Sequence, residues 1–304
     1  MIEQADFSEM VARAMATSGR NHMRPVIEKE LLHYDILFVL DKESLLQQLT
    51  FQGGTCLRLC YGSPRFSEDL DFAGGSDFSS HNVIAIKQCI KDYIGSRYQL
   101  EVTVKEPAAL KSLPEYDGIN VDKWQVSIVT SPQRKDLPRQ RIKLEIANIP
   151  SYSRVPQSLQ VNYDFLPDGY GDTLVMSESL DEVMADKVVS LVNTTRYVRN
   201  RDIWDLRWLK QQGSSINIDW VRQKTLDYKI DDYLAKLENM NKRLPEIIQG
   251  QTFKDEMARF IPTDVQERTL LRDGFYEFLT NETQGLLKTV KKNWSADSDD
   301  QFTI

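Results

Sequence analysis

The spacing of apolar residues predicts helices at both ends of the chain and strands in its middle. From about residue 7 to residue 48, apolar residues recur every three or four positions, as at Ile27 and Leu31, with Pro25 as the expected interruption. A further amphipathic helix is predicted for residues 80–96. From about residue 178 onward the pattern is again helical, and no strong strand pattern follows.

Strand patterns occupy the region between these helices. Short strands are predicted at residues 49–52 and 70–72, and longer ones at 99–105, 124–130 and 141–147. A short helix from Thr55 to about Tyr61 separates the first two strands, because Gly62 and Pro64 end it. Strands with interspersed helices, followed by helices alone, predict an α/β fold of the α+β kind.

This pattern divides the chain into three predicted segments. Residues 1–48 form an N-terminal helical segment, residues 49–177 an α/β domain, and residues 178–304 a helical C-terminal domain. The last of these ends in the polar, acidic stretch 295–300, for which we expect a disordered tail.

Composition narrows the class of protein. A hydrophobic fraction of 41% and a charged fraction of 27% are typical of soluble globular proteins, and no apolar run is long enough to cross a membrane. The polar N-terminus lacks the layout of a signal peptide, so we expect a cytoplasmic protein without a membrane partner. Three cysteines and three histidines argue against a disulfide framework or a zinc site.

The net charge of −7 argues against a protein that coats nucleic acid through its overall field. A local basic groove remains compatible with it, and solvated surface charge is the alternative for each member. Two stretches are candidates for such a groove: Arg134, Lys135, Arg139, Arg141 and Lys143, and then Arg196, Arg199, Arg201, Arg207 and Lys210.

A glycine pair precedes the first short helix. Gly53 and Gly54 follow a predicted strand, and Thr55 opens the helix. Glycines allow the backbone to approach a ligand closely, and a helix N-terminus offers unpaired N–H groups to phosphate. Taken alone, a diglycine before a helix is more often only a turn.

Two carboxylates stand at the start of the next strand. Asp69 and Asp71 are two residues apart, so both side chains share one face of the strand while Leu70 faces the core. Like charges this close repel each other, and a divalent cation such as Mg²⁺ would relieve that repulsion. An exposed acidic loop is the alternative.

A third carboxylate is available on the strand at residues 141–147. Alternation places Ile142 and Leu144 on one face, and Lys143 and Glu145 on the other. Two metal ions that clamp an in-line phosphoryl displacement need such a third ligand, and a lysine suits the charge of a triphosphate. A strand with a solvated charged face would have the same pattern.

Together these parts resemble the DNA polymerase β-like nucleotidyltransferase superfamily, whose core contains a mixed sheet. Residues 53–72, GGTxLRxxYGxxRFSEDLDF, are more specifically similar to the AbiEii/AbiGii toxin family, which includes abortive-infection toxins of phage defence and the MenT toxins. Residues 185–191 and 199–206 resemble a second region of that family.

The resemblance implies the roles of individual residues. It implies a catalytic set of Ser67, Asp69, Asp71, Lys143 and Glu145, in which Asp69, Asp71 and Glu145 hold a two-metal Mg²⁺ site. The implied nucleotide-binding residues are Gly53, Gly54, Thr55, Arg58, Arg65, Lys187 and Asp202. An exposed helix lysine is the alternative for Lys187, and a helix-surface salt-bridge cluster with Arg201 and Asp205 is the alternative for Asp202.

The implied activity is transfer of a nucleoside monophosphate from an NTP to an acceptor. Family members add nucleotides to the acceptor end of tRNA, so tRNA is the first expected acceptor, with a cognate antitoxin as partner. Two alternatives stay open. One is a nucleotidyltransferase acting on a small molecule or protein, and the other is a non-catalytic, partner-binding relative of the fold.

Overall fold

The structure, a computed structural model, describes residues 4–17, 19–110, 119–134, 136–194 and 197–300, with side chains up to residue 295. Two compact units divide the chain, Met1–Glu178 and Ser179–Ile304. Helices and a mixed sheet make up the first unit and helices the second, which is the mixed α/β architecture that the sequence predicts.

In its described residues, the first unit has four α-helices: α1 Phe7–Met15, α2 Arg24–Lys42, α3 Gly53–Leu59 and α4 Ile86–Tyr98. The Asp6 side chain caps α1 by accepting a hydrogen bond from the backbone N–H of Glu9 at 3.1 Å. Pro25 lies in the first turn of α2, where its missing N–H has no helical partner to lose. The predicted interruption is therefore the start of a second helix.

A seven-stranded sheet forms the centre of the unit. Its strands are β1 Thr50–Gln52, β2 Leu70–Ala73, β3 Val102–Lys105, β4 Val121–Ile128, β5 Gln140–Ala147, β6 Val155–Ser158 and β7 Leu174–Ser177. They lie in the order β3-β4-β5-β2-β1-β7-β6. The pairs β2–β5 and β1–β7 are parallel, and the other pairs are antiparallel. The sequence pattern did not predict β6 and β7.

The two faces of this sheet differ in character. Alternate side chains of β4 and β5 are buried, among them Trp124, Val126, Ile142 and Leu144. Helix α2 packs against β5, and α4 packs against β3. Because successive side chains of a strand point to opposite faces, the intervening polar residues share the other face. Of the predicted site residues, Asp71, Lys143 and Glu145 lie on that polar face.

The second unit consists, in its described residues, of helices. They are α5 Leu180–Val192, α6 Asn200–Gln211, α7 Ile218–Asp227, α8 Tyr233–Gln249, α9 Gln251–Phe260, α10 Thr263–Glu267 and α11 Phe275–Asp300. Helix α5 packs against α6 and α7, and α11 packs against α8. The backbone of residues 295–300, for which disorder is expected from the sequence, continues α11. Among the described helices, none has the length and apolar character needed to cross a membrane.

Candidate active site

A turn at Gly53 brings β1 and β2 together at one end of the polar face. Gly53 has a φ of +78°, a left-handed conformation that favours glycine, and it leads directly from β1 into α3. A Cβ at this position would lie 2.7 Å from Oδ2 of Asp71. The absence of a side chain at Gly53 therefore lets the Asp71 carboxylate lie against the turn.

The neighbouring Gly54 makes room in the same way. A Cβ there would lie 2.9 Å from Oγ of Ser67 and would overlap the guanidinium of Arg65. Both glycines are thus required by close approach of other parts of the motif. The predicted cradle is lined on its inner side by Ser67 and Arg65, which are both buried.

A row of polar residues crosses four adjacent strands. Strand register places Lys123 of β4 opposite Glu145 of β5, Glu145 opposite Asp71 of β2, and Asp71 opposite Gln52 of β1. Residues in register on neighbouring strands present their side chains to the same face. We call these four residues, Lys123, Glu145, Asp71 and Gln52, the polar row.

Asp69 lies beside this row, one residue before β2. The backbone N–H of Lys143 donates to Asp69 Oδ1 at 3.1 Å, and the Lys143 Nζ lies 3.6 Å from Asp69 Oδ2. Thr55 Oγ1 donates to the carbonyl oxygen of Asp69. The structure therefore brings Asp69, Lys143 and Thr55 together.

Glu145 and Asp69 each form an ion pair with a lysine. Lys123 Nζ lies 3.0 Å from Glu145 Oε1, while Lys143 pairs with Asp69. The oxygens of Asp69, Asp71 and Glu145 are not all within 4.8 Å of one another. Asp71 and Glu145 thus share one face of the sheet, Asp69 lies beside them, and Asp69 and Glu145 are paired with lysines.

Side chains of helix α2 form hydrogen bonds with the loop that carries Asp69. Lys29 Nζ donates to Glu68 Oε1 at 2.8 Å, and His33 Nε2–H donates to the Glu68 carbonyl oxygen at 3.0 Å. Burial of the imidazole lowers the pKa of His33 to about 4, so the ring is neutral at physiological pH. With Thr55 on the other side, the Glu68–Asp69 peptide is fixed from two helices.

Arg58 is placed differently from the nucleotide contact expected of it. Its guanidinium is buried and forms two hydrogen bonds with Glu30, at 2.8 and 3.1 Å. It also donates to the Ser63 carbonyl oxygen at 3.0 Å and lies 4.2 Å from the ring centroid of Phe66. These contacts support the motif from inside the unit. Arg65 is similar, being 2% exposed and bonded to the Phe66 carbonyl oxygen at 2.8 Å.

Lys187 and Asp202 meet inside the second unit. Lys187 Nζ lies 2.7 Å from Asp202 Oδ1 and 3.1 Å from Asp205 Oδ2, joining α5 to α6. The Ser190 hydroxyl donates to Asp202 Oδ2 at 2.6 Å. Lys187 is 11% exposed, and Asp205 is fully buried. The cluster is therefore an interior one, which neither an exposed helix lysine nor a helix-surface salt bridge describes.

The described residues of the two predicted basic stretches differ in whether they pair with an acidic side chain. Arg134 pairs with Asp136 at 2.7 Å, and Arg139 pairs with Glu101 at 2.8 Å. In the second unit, Arg201 pairs with Glu256 and Lys210 with Glu282, while burial lowers the pKa of Arg207 to about 10. Lys135 and Arg196 lie outside the described residues. Arg141 and Lys143 remain on the exposed side of β5.

Two residues of the polar row were not predicted from the sequence. Gln52 precedes the glycine pair, and its buried Oε1 has no hydrogen-bond partner among the residues that the structure describes. Lys123 lies on β4, where alternation alone marks it only as a solvated residue. Their position opposite Asp71 and Glu145 follows from strand register, which a local pattern does not contain.

The arrangement offers hard oxygen ligands next to a glycine turn and two lysines. Carboxylate oxygens of Asp69, Asp71 and Glu145, with the orphaned amide oxygen of Gln52 beside them, form the donor set that Mg²⁺ prefers. Lys123 and Lys143 add positive charge suited to phosphate oxygens. In donor chemistry, though not in the present spacing of their oxygens, these residues suit a divalent cation together with a phosphorylated ligand.

Comparison with known proteins gives one family and several similar solved structures, among them two from Helicobacter pylori. No curated protein sequence matches the chain. The crystal structure of JHP933 from Helicobacter pylori is 17% identical, with a TM-score of 0.48, over 91% of this chain and 96% of that chain. A second structure from the same organism, by its description a candidate nucleotidyltransferase, is 18% identical, with a TM-score of 0.47, over 89% and 96%.

The family comparison covers most of the chain. A model described as "Nucleotidyl transferase AbiEii toxin, Type IV TA system" matches residues 35–281 of 304. This range includes the glycine turn, the polar row and the helices with Lys187 and Asp202, and it confirms the resemblance seen at residues 53–72. The chain belongs to the nucleotidyl transferase AbiEii toxin family of type IV toxin–antitoxin systems.

Proposed function

We propose that the chain is a metal-dependent nucleotidyltransferase toxin that transfers a nucleoside monophosphate from an NTP to RNA, in the first place to the 3′ end of tRNA. The observation that carries this proposal is the polar row: Asp71 and Glu145 in register on parallel strands, with Asp69 beside them and the Gly53 turn against Asp71. A carboxylate cluster on a sheet face next to a close-approach turn suits triphosphate chemistry.

The proposed reaction forms one bond and breaks one. A hydroxyl oxygen of the acceptor attacks the α-phosphorus of the NTP, and the bond between the α-phosphorus and the bridging oxygen breaks. Pyrophosphate leaves, and the hydroxyl proton passes to a general base. Lys143, and Lys123 next to it on β4, offset charge on the phosphate oxygens, while the backbone of Gly53, Gly54 and Thr55 lies against the phosphates.

Asp69, Asp71 and Glu145 are the residues that would hold Mg²⁺. When bound, such an ion neutralises phosphate charge and orients the transferring group. Lys123 and Lys143 now pair with Glu145 and Asp69, and either lysine can exchange a carboxylate for a phosphate oxygen without leaving the face. The two lysines thereby limit the repulsion among the three carboxylates before ligands bind.

The same proposal assigns partners. A toxin of this family requires a cognate antitoxin, and its substrate is an NTP. With tRNA as acceptor, we propose that the chain acts in the cytoplasm.

Arg58 and Arg65 are buried under the motif. We therefore propose that the glycine turn and the two lysines, and not these arginines, contact the nucleotide in the first unit.

The testing experiment is label transfer. Purified protein is incubated with Mg²⁺, total tRNA and each α-phosphate-labelled NTP in turn, with a second series in excess chelator. We expect label in the tRNA fraction for at least one NTP, and none with chelator. Label on a protein or metabolite with none on RNA would remove RNA from the proposal, and equal transfer in chelator would remove the metal.

A further inference from the structure

Four cations share the exposed face of β3, β4 and β5. Lys105 lies in register with Gln125 and, through it, with Lys143. Lys123 lies two residues before Gln125 on β4, and Arg141 lies two residues before Lys143 on β5. All four cations are exposed. We call Lys105, Lys123, Arg141 and Lys143 the basic sheet face.

The basic sheet face continues the candidate active site without a break. Lys123 and Lys143 belong to both, since they pair with Glu145 and Asp69. Lys105 and Arg141 lie farther out, towards the β3 edge and the start of β5, and neither forms an ion pair with any residue that the structure describes. The sheet face thus changes from acidic at β2 to basic at β3.

The described residues of the predicted basic stretch at 134–143 differ in their partners. Arg134 and Arg139 are neutralised by Asp136 and Glu101. Arg141 is the member that has no carboxylate partner among the described residues, and it points to the face that holds Lys143. The cations that share one surface therefore come from three strands and not from a single stretch of the chain.

The spacing of the basic sheet face suits a phosphodiester backbone. Residues two apart on one strand are about 6.7 Å apart, and neighbouring strands are about 4.8 Å apart. Lys143 and Arg141 are then separated by roughly 6.7 Å, and Lys105 and Lys143 by roughly 9.6 Å. These are the distances over which successive phosphates of a single strand can each meet a cation.

We propose that the basic sheet face binds the phosphodiester backbone of the acceptor RNA as a single strand and leads its 3′ end to the polar row. This inference rests on the proposed function, because it assigns the acceptor path of the same site. The neighbouring side chains on this face are Thr103, which is exposed, and Gln125 and Ser127, which are half-buried, so the face offers cations and hydrogen bonds but no aromatic platform for bases. It binds backbone and is insensitive to base sequence.

The test compares two double variants that remove the same charge. Lys105→Gln with Arg141→Gln empties the outer part of the face, whereas Arg134→Gln with Arg139→Gln removes two paired arginines outside it. Binding of a labelled single-stranded oligoribonucleotide is measured from 50 to 200 mM salt. Each lost phosphate contact reduces the slope of log affinity against log salt by about 0.7, so the first variant should lose about 1.4. The second should keep the parent slope.

Further arms separate the possible sources of an effect. Binding of a labelled NTP should be unchanged in both variants, and thermal melting should show that both are folded. Equal slopes in the two variants, or loss of NTP and RNA binding together, would overturn the assignment. Binding of polyglutamate is measured as well. The assignment would also be overturned if the first variant binds RNA as the parent does but binds polyglutamate less well, because the face would then bind an acidic protein partner.

Failure of the proposed function gives a different result. If the parent transfers no label from any NTP, yet the first variant alone loses salt-dependent RNA binding, the surface stands and the reaction does not. If the parent transfers label to RNA and both variants bind RNA like the parent, the reaction stands and the surface does not.

Discussion

One absent methyl group at Gly53 determines where the Asp71 carboxylate lies. Gly53→Ala would combine a left-handed backbone with a Cβ at 2.7 Å from Asp71 Oδ2. We expect unfolding to become easier by about 1–2 kcal/mol from the backbone alone. Displacement of Asp71 should also reduce nucleotide transfer by about a hundredfold. Urea denaturation and label transfer measure the two effects.

Gly62 supplies the matched control for that substitution. Its φ of +77° nearly equals that of Gly53, but a Cβ there meets no atom within 4 Å. Gly62→Ala should therefore lose similar stability and retain transfer activity. Equal activity loss in both variants would mean that the effect comes from backbone strain and that Asp71 is not involved.

Two buried side chains of α2, His33 and Asp35, contribute to stability in ways that change oppositely with pH. Burial lowers the pKa of His33 from 6.5 to about 4, so its contribution to stability is lost as pH falls from about 6.5 to about 4. Burial raises the pKa of Asp35 from 3.8 to about 6, even though Tyr98 donates to Asp35 at 2.8 Å. The contribution of Asp35 is lost as pH rises through the same range.

These two contributions should nearly cancel in the parent protein, since each shift corresponds to about 3 kcal/mol. We expect the difference in unfolding free energy between parent and His33→Gln to grow with pH between about 4 and 6.5. The difference between parent and Asp35→Asn should shrink between about 4 and 6. Urea denaturation across this range measures both curves. Flat differences would show that neither group carries its shifted pKa in the folded state.

Which site residues a sequence can indicate depends on whether the signal is local. Asp69 directly precedes β2 and Asp71 lies within it, two residues later, so period-two alternation of the extended chain predicts a common face for them. The same alternation places Lys143 with Glu145. Gln52 and Lys123 join them only through pairing between strands distant in sequence. Local pattern contains no information about that pairing.

At the scale of elements, helices and long strands were predictable where the pattern was long. Strands β4 and β5 each span eight residues with clear alternation. Strands β6 and β7 have four residues each, and β6 contains Pro156, which restricts it to the sheet edge. Too few residues alternate in such short strands to distinguish them from loop.

The ionic cluster between α5 and α6 makes a prediction at this scale. Lys187→Met would remove the Lys187 ammonium from the buried carboxylates of Asp202 and Asp205, so we expect a loss of about 3–5 kcal/mol in unfolding free energy. Lys210→Met removes a half-exposed partner of Glu282 and should cost less than about 1 kcal/mol. Urea denaturation measures both. A stable Lys187→Met variant that has lost NTP binding would instead favour direct nucleotide contact.

At the scale of the whole molecule, the family identifies the class of enzyme, and the net charge restricts how nucleic acid can bind. The family match extends over residues 35–281, across both compact units, and identifies the class of enzyme and of toxin–antitoxin system. The net charge of −7 repels nucleic acid at long range, so the RNA binding that we propose requires a local surface. The basic sheet face provides such a surface within an acidic chain.

The most direct test of the central claim, that the polar row is a nucleotidyl-transfer centre, compares α- and γ-phosphate-labelled NTP. The parent, Asp71→Asn and the control Asp77→Asn, an exposed aspartate just beyond β2, are incubated with Mg²⁺ and total tRNA. We predict α-label on RNA with the parent and Asp77→Asn, none with folded Asp71→Asn, and no γ-label with any of them. Transfer of the γ-label, or full activity of Asp71→Asn, would contradict the account.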